Sequence, residues 1–170
     1  AETGGSERAR INSGGKVLVN TTTASTVGNS TYSMFEVSGN TSGATGPGHL
    51  SIKRGEAVAS LSNGDTLGRL IFSGLDGGDF AYIQASVDAA PGSSDYPGRL
   101  MFWTGADGSG SPVERMRIDS AGQVGINDPT PDAELSVAAV SGNAPHVDIG
   151  QAGGNRLKLG YEGNNCFFGA

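Results

Sequence analysis

The chain has 170 residues, among them 29 Gly and 7 Pro, and only 36% are hydrophobic, 6% aromatic and 16% charged. It has no run of about 18 apolar residues that would cross a membrane as a helix, and its net charge of −6 opposes binding to nucleic acid or an anionic membrane surface. With a single cysteine, Cys166, no intrachain disulfide can staple a small core.

The chain opens at Ala1 without a Met or a signal peptide, as expected of a processed product or a segment of something longer. Gly or Pro every few residues rules out a long amphipathic helix. What recurs is a short apolar run bounded by turn residues. Lys16–Val19 follows Ser13-Gly14-Gly15, and Met34–Val37 comes next. Gly68–Phe72 follows Asn63-Gly64-Asp65, and Ala81–Gln84 follows Asp76-Gly77-Gly78. Arg99–Trp103 precedes Asp107-Gly108, and Arg156–Leu159 follows Gly153-Gly154-Asn155. Short strands at close spacing predict an all-β chain. Five segments are expected: a hairpin in 1–25, a Gly/Ser/Thr-rich β segment in 26–63, a paired module in 64–112, a second hairpin in 113–137 and a C-terminal β segment in 138–170.

Two internal repeats sharpen this expectation. Residues 7–20 match 114–127 without a gap at Glu7/Glu114, Arg8/Arg115, Arg10/Arg117, Ile11/Ile118, Ser13/Ser120, Gly15/Gly122, Val17/Val124 and Asn20/Asn127. Each copy reads as strand, tight turn, strand. Gly68-Arg69-Leu70-Ile71-Phe72 likewise matches Gly98-Arg99-Leu100-Met101-Phe102. Such repeats point to similar stacked units rather than one wrapped core.

The apolar content is thin for this length. Burying an aliphatic side chain yields roughly 1.5–3 kcal/mol, against about 1–2 kcal/mol per residue for ordering backbone. Identical chains around a threefold axis resolve the shortfall, with Ile11, Val17, Ile118, Val124 and Ile126 as the expected interchain core. Strand alternation sets Arg8 and Arg10 opposite Ile11, and Arg115 and Arg117 opposite Ile118. These guanidinium groups are expected to take carboxylates of a neighbouring chain, with Glu7 and Glu114 as partners; a solvated charged face on a monomer is the alternative.

The stretch Glu114–Asn127, with Pro129-Thr130-Pro131 and Ala133–Val137 after it, resembles a segment common in bacteriophage tail-fibre proteins, typically of marine and cyanobacterial phages. Residues Gly64–Arg69 through Pro97–Thr104 are similar to the shaft modules that precede it. The matching parts cover about half the chain. The resemblance implies an elongated, interwoven homotrimeric β-fibre in a virion tail. Its partners are other tail proteins and a bacterial surface glycan or receptor, and its shaft modules often lie upstream of a self-releasing chaperone domain. Nothing after Val137 has room for that domain. The chain departs from the pattern at Ala9, where the second copy has Met116, and at Asn127-Asp128, where a Gly-Thr type turn is usual.

Chemistry-bearing motifs are sparse. His49 and His146 lack neighbouring ligands at metal spacing, and Asp76, Asp79, Asp107 and Asp119 sit beside Gly or Ser as turn residues. Only Asp76-Gly77-Gly78-Asp79 approaches a Ca²⁺ loop. The Gly-rich Gly105–Gly110 lacks the Lys-Ser/Thr and helix of a phosphate loop. Neither a catalytic triad nor a cofactor is expected, and Cys166 beside Phe167-Phe168 reads as a small buried hydrophobe. For glycan contact the stock is Tyr32, Tyr82, Tyr96, Trp103, Tyr161 and Asn164-Asn165; Trp103 is expected to pack inside, and the C-terminal turn with Tyr161, Asn164 and Asn165 is the better candidate, against a purely structural turn. The sequence therefore predicts a non-enzymatic structural segment of a phage tail fibre. The alternatives are a polysaccharide-degrading tailspike, which needs a carboxylate pair the sequence does not place, and a secreted bacterial β-solenoid adhesin.

Overall fold

The computed structural model describes residues 9–19, 21, 23, 35–39, 47–138, 147–150, 156–162 and 165–169. These residues form twelve strands and one short 3₁₀ turn at Val58–Ser60, with no α-helix among them. The fold is all-β. The chain divides into two compact units, Ala1–Ser51 and Ile52–Ala170.

In the first unit, β1 (Ala9–Ile11) and β2 (Val17–Val19) pair antiparallel, and β3 (Phe35–Val37) joins β2 in parallel. The turn between β1 and β2 is built by Asn12. Its Oδ1 accepts from the backbone N–H groups of Gly14 and Lys16, each at 3.0 Å. Gly15 closes the turn at φ +77°, a left-handed conformation that glycine adopts without steric cost.

The second unit holds a six-stranded sheet in sequential order. It comprises β4 (Thr66–Ser73), β5 (Asp79–Val87), β6 (Gly98–Thr104), β7 (Val113–Ile118), β8 (Val124–Ile126) and β9 (Leu135–Val137). All neighbours are antiparallel except β8 and β9, which run parallel. The sheet runs without a break through 112–113, so the segments 64–112 and 113–137 share it. A separate three-stranded antiparallel sheet contains β10 (Val147–Gly150), β11 (Arg156–Glu162) and β12 (Asn165–Gly169).

Burial is scarce. Among the described residues the buried apolar side chains are Leu18, Tyr82, Val87 and Met101, joined by the polar Gln84 and Ser86, while sixteen large hydrophobic residues are exposed. A sheet of this size normally turns its apolar face inward and its polar face to water. Here the assignment is reversed, and the reversal defines the surface of interest.

Candidate interaction face

Residues paired in register on neighbouring strands project to the same side of a sheet. One row crosses all six strands of the large sheet: Leu70, Ile83, Phe102, Met116, Ile126, Val137. A parallel row runs Gly68, Ala85, Leu100, Ile118, Val124, Leu135. Every member of both rows is apolar or glycine, and none is buried. Leu70 is 50% exposed, Phe72 beside it 53% and Leu135 59%. Together with Leu100, Val113, Ile118 and Ile126 they bare on the order of 600 Å² of apolar surface, the upper limit of the largest patch on a typical monomer.

The opposite side of the sheet mixes polar groups with the aromatic and apolar Tyr82, Trp103 and Met101, and is better covered. Arg69 Nε donates to Gln84 Oε1 at 2.6 Å, and Gln84 Nε2 donates to Ser86 Oγ at 2.8 Å. The Arg69 guanidinium lies 4.7 Å from the centre of the Tyr82 ring, and Tyr82 stacks on Trp103 at 5.3 Å with 22° between ring planes. Flat stacking of long side chains along the strands screens the sheet from water without a second layer.

The candidate interchain residues fall as follows. Ile118 and Val124 are cross-strand partners, and Ile126 stands opposite Met116, all on the apolar face. Ile11 and Val17 are cross-strand partners in the first unit, with Ile11 74% exposed. Glu7 and Arg8 lie outside the described residues. Arg10, opposite Leu18 in register, occupies the other face of its strand from Ile11.

Strict alternation fails at the second copy. Between the Phe102–Met116 and Trp103–Glu114 pairs, β7 carries a bulge that inserts Arg115. The bulge rotates Glu114 onto the face of Arg117, three positions away, where an unbroken strand would separate them. Arg117 then grips Glu114 with two parallel hydrogen bonds, Nε to Oε1 at 2.6 Å and Nη2 to Oε2 at 2.8 Å. These bonds raise the Arg117 pKa against the opposing effect of burial. The pair forms within one chain, where the sequence reading set Glu114 against an arginine of a neighbour. Arg115 instead donates from Nε to Thr104 Oγ1 at 3.3 Å.

A second ion pair ties one end of the sheet together. Asp88 Oδ1 accepts from Arg99 Nη1 at 2.9 Å, and its Oδ2 accepts from the backbone N–H of Ser120 at 2.8 Å. Arg99 Nη1 also donates to Asn63 Oδ1 at 3.2 Å. Burial pushes the Asp88 carboxyl up, but the Ser120 hydrogen bonds and the Arg99 charge outweigh it and hold the group below its ordinary 3.8.

The chemistry-bearing residues do not converge. Among the described residues no group of three or more His, Cys, Asp or Glu is placed to hold a metal ion. An open hollow of about 380 Å³ lies between Gly78–Phe80 and Gly105–Gly110, with Asp79 and Asp107 at its wall. Asp79 is engaged by the Ser73 hydroxyl at 2.7 Å. Of the glycan candidates, Tyr161 stands opposite Cys166 in register and Asn165 opposite Glu162. Asn164 lies outside the described residues.

The sequence reading missed Leu70, Phe72, Leu100 and Leu135 as members of the exposed apolar face, and Phe35 as an exposed apolar residue of the first unit. Their strands carry a legible signal, since Gly68–Phe72 and Gly98–Phe102 repeat. Only the pairing register shows that Leu70 and Phe102, with Ile83 between them, share a side with Ile118 and Ile126. No protein-family model matches the chain, and no curated protein matches it.

Proposed function

We propose that this chain is a structural, non-enzymatic segment of a bacteriophage tail fibre. It assembles as a homotrimer whose shaft holds a receptor-binding end, adhesive to a bacterial surface glycan, away from the virion. The exposed apolar face of β4–β9 carries the reading. A standard interface buries about 800 Å² per partner, and this face bares surface of that order while the opposite side already holds the Arg69–Gln84–Ser86 hydrogen bonds and the Arg117–Glu114 pair. Closed symmetry among identical chains covers such a face and leaves nothing sticky outside. The motif Glu114–Val137 and the repeat of Gly68–Phe72 at Gly98–Phe102 supply the likeness to fibre modules.

Mass photometry of the full chain, with denaturing gels run on unheated samples, tests the assembly. Three-chain particles that resist detergent until heated are expected, and a single-chain mass at micromolar concentration overturns the proposal. Labelled antibody against the chain is expected to decorate phage tails in electron micrographs, and decoration elsewhere would remove the virion assignment.

A further inference from the structure

The strands β1–β3 and the last part of β7 with β8 and β9 form the same object twice. Register pairs Ala9–Val19, Arg10–Leu18 and Ile11–Val17 recur as Met116–Ile126, Arg117–Gly125 and Ile118–Val124. The parallel third strand recurs too: Val17–Phe35 and Val19–Val37 correspond to Val124–Leu135 and Ile126–Val137. Each copy is therefore a three-stranded motif, one strand longer than the hairpin in the sequence repeat.

One side of the motif holds six positions: Ala9, Ile11, Val17, Val19, Phe35 and Val37 in the first, and Met116, Ile118, Val124, Ile126, Leu135 and Val137 in the second. All twelve residues are apolar and none is buried. Residue identity changes at three of the six positions, yet apolar character is kept at all of them. On the other side Arg10 and Arg117 correspond, but where the first motif has Leu18 the second has Gly125. Two bare faces of one design in one chain call for one kind of cover.

Resting on the fibre reading above, we infer that this three-stranded motif is a self-association module. Its occupant is the same motif of another copy, first with first and second with second. Covering decides between this and the slipped arrangement. In-register pairing covers both motifs of every chain in a closed group. Pairing the first motif of one chain with the second of the next covers every face only where the rotation closes a ring, and otherwise leaves a bare face at each end of an open filament. Bulk favours the same answer: the first face sets small Ala9 with large Phe35, whereas the second distributes its volume between Met116 and Leu135. Faces of different relief do not fit one partner equally well. The two modules together fix the axial register of the chains, which smooth β-surfaces specify poorly.

The test uses the full chain with Cys166→Ser and one new cysteine, at Ile11→Cys or Val17→Cys in the first motif, or Ile118→Cys or Val124→Cys in the second. A short bismaleimide is added in dilute solution, and denaturing gels read the linked species. At least one variant of each motif is expected to link to itself in most chains. Co-expressed Ile11→Cys and Ile118→Cys chains are expected to give self-linked products without the mixed one. Linkage only in the mixture overturns the inference in favour of the slipped arrangement, and no linkage at any position overturns it outright. Mass photometry of the same samples separates the two readings. Intact trimers without self-linkage defeat this inference alone, whereas single chains defeat the fibre proposal as well.

Discussion

The two three-stranded motifs share strands, register, turn and apolar face, yet differ in how the third strand is reached and in what lies beneath. In the first, fifteen residues separate β2 from β3; in the second, eight separate β8 from β9. Parallel neighbours are usually joined by a dozen or more residues. The shorter connection turns at once through Asn127, whose φ of +53° is the left-handed conformation that asparagine tolerates better than most side chains. Asn127 thus takes a turn conformation that glycine adopts most freely. The path then lays the Asp128 carbonyl so close over Gly125 that a Cβ there would collide with it. The equivalent position in the first motif is Leu18, fully buried. The apolar face and the turn are thus held constant, while the far side answers to the length of the connection.

Exchanging the residues at this position breaks the comparison most severely. Gly125→Leu forces the connection off the sheet, and a loss above about 3 kcal/mol is expected, the range of severe overpacking. Thermal unfolding at fixed protein concentration should show a collapse of the midpoint or loss of soluble protein; an unchanged midpoint would mean the connection moves without cost. Leu18→Ala comes next. Removing a fully buried leucine costs about 2–4 kcal/mol, measured by denaturant unfolding, and a change under about 1 kcal/mol would show that the site refills.

A difference of anchoring follows. The turn of the second motif is tied to the rest of its sheet through Ser120 and Asp88. Asp88→Asn is expected to cost about 1–3 kcal/mol by weakening a charge-assisted network. The sign of its pH dependence is set by the depressed folded pKa. Asp88 contributes stability above its unfolded value near 3.8, and that contribution is lost as pH falls below it through the lower folded value. Unfolding followed between neutral and strongly acidic pH should therefore show a shallower acid decline in the variant than in the parent. Equal slopes would remove Asp88 from the acid response.

The smallest effect concerns what the motifs share. Asp119 Oδ1 accepts from Ala121 and Gln123 at 2.9 and 2.8 Å, as Asn12 Oδ1 does from Gly14 and Lys16. Asn12→Ala and Asp119→Ala should each cost about 1 kcal/mol, equal within about 0.5 kcal/mol. A large inequality by thermal unfolding would show that one turn is held by more than its Asx bonds.

The sequence by itself determined the all-β class, the turns and the repeat, because these rest on local chemistry. Glycine with asparagine at Asn12–Gly15, and with aspartate at Asp119–Gly122, selects the turn, and Gly/Pro spacing forbids helix. It also disclosed a shortage of core, since that is a matter of counting apolar residues against ordered backbone. The tertiary structure decided the rest. A bulge at Arg115 shifts the parity of β7 by one, so Glu114 meets Arg117 inside the chain, which alternation alone forbids. The parallel third strands, β3 and β9, arise from pairing across connections that leave no periodic mark. The side of the sheet that stays bare is likewise a property of register. Leu70 and Ile126 lie 56 residues apart in sequence and join one surface only because four strand pairings place them there.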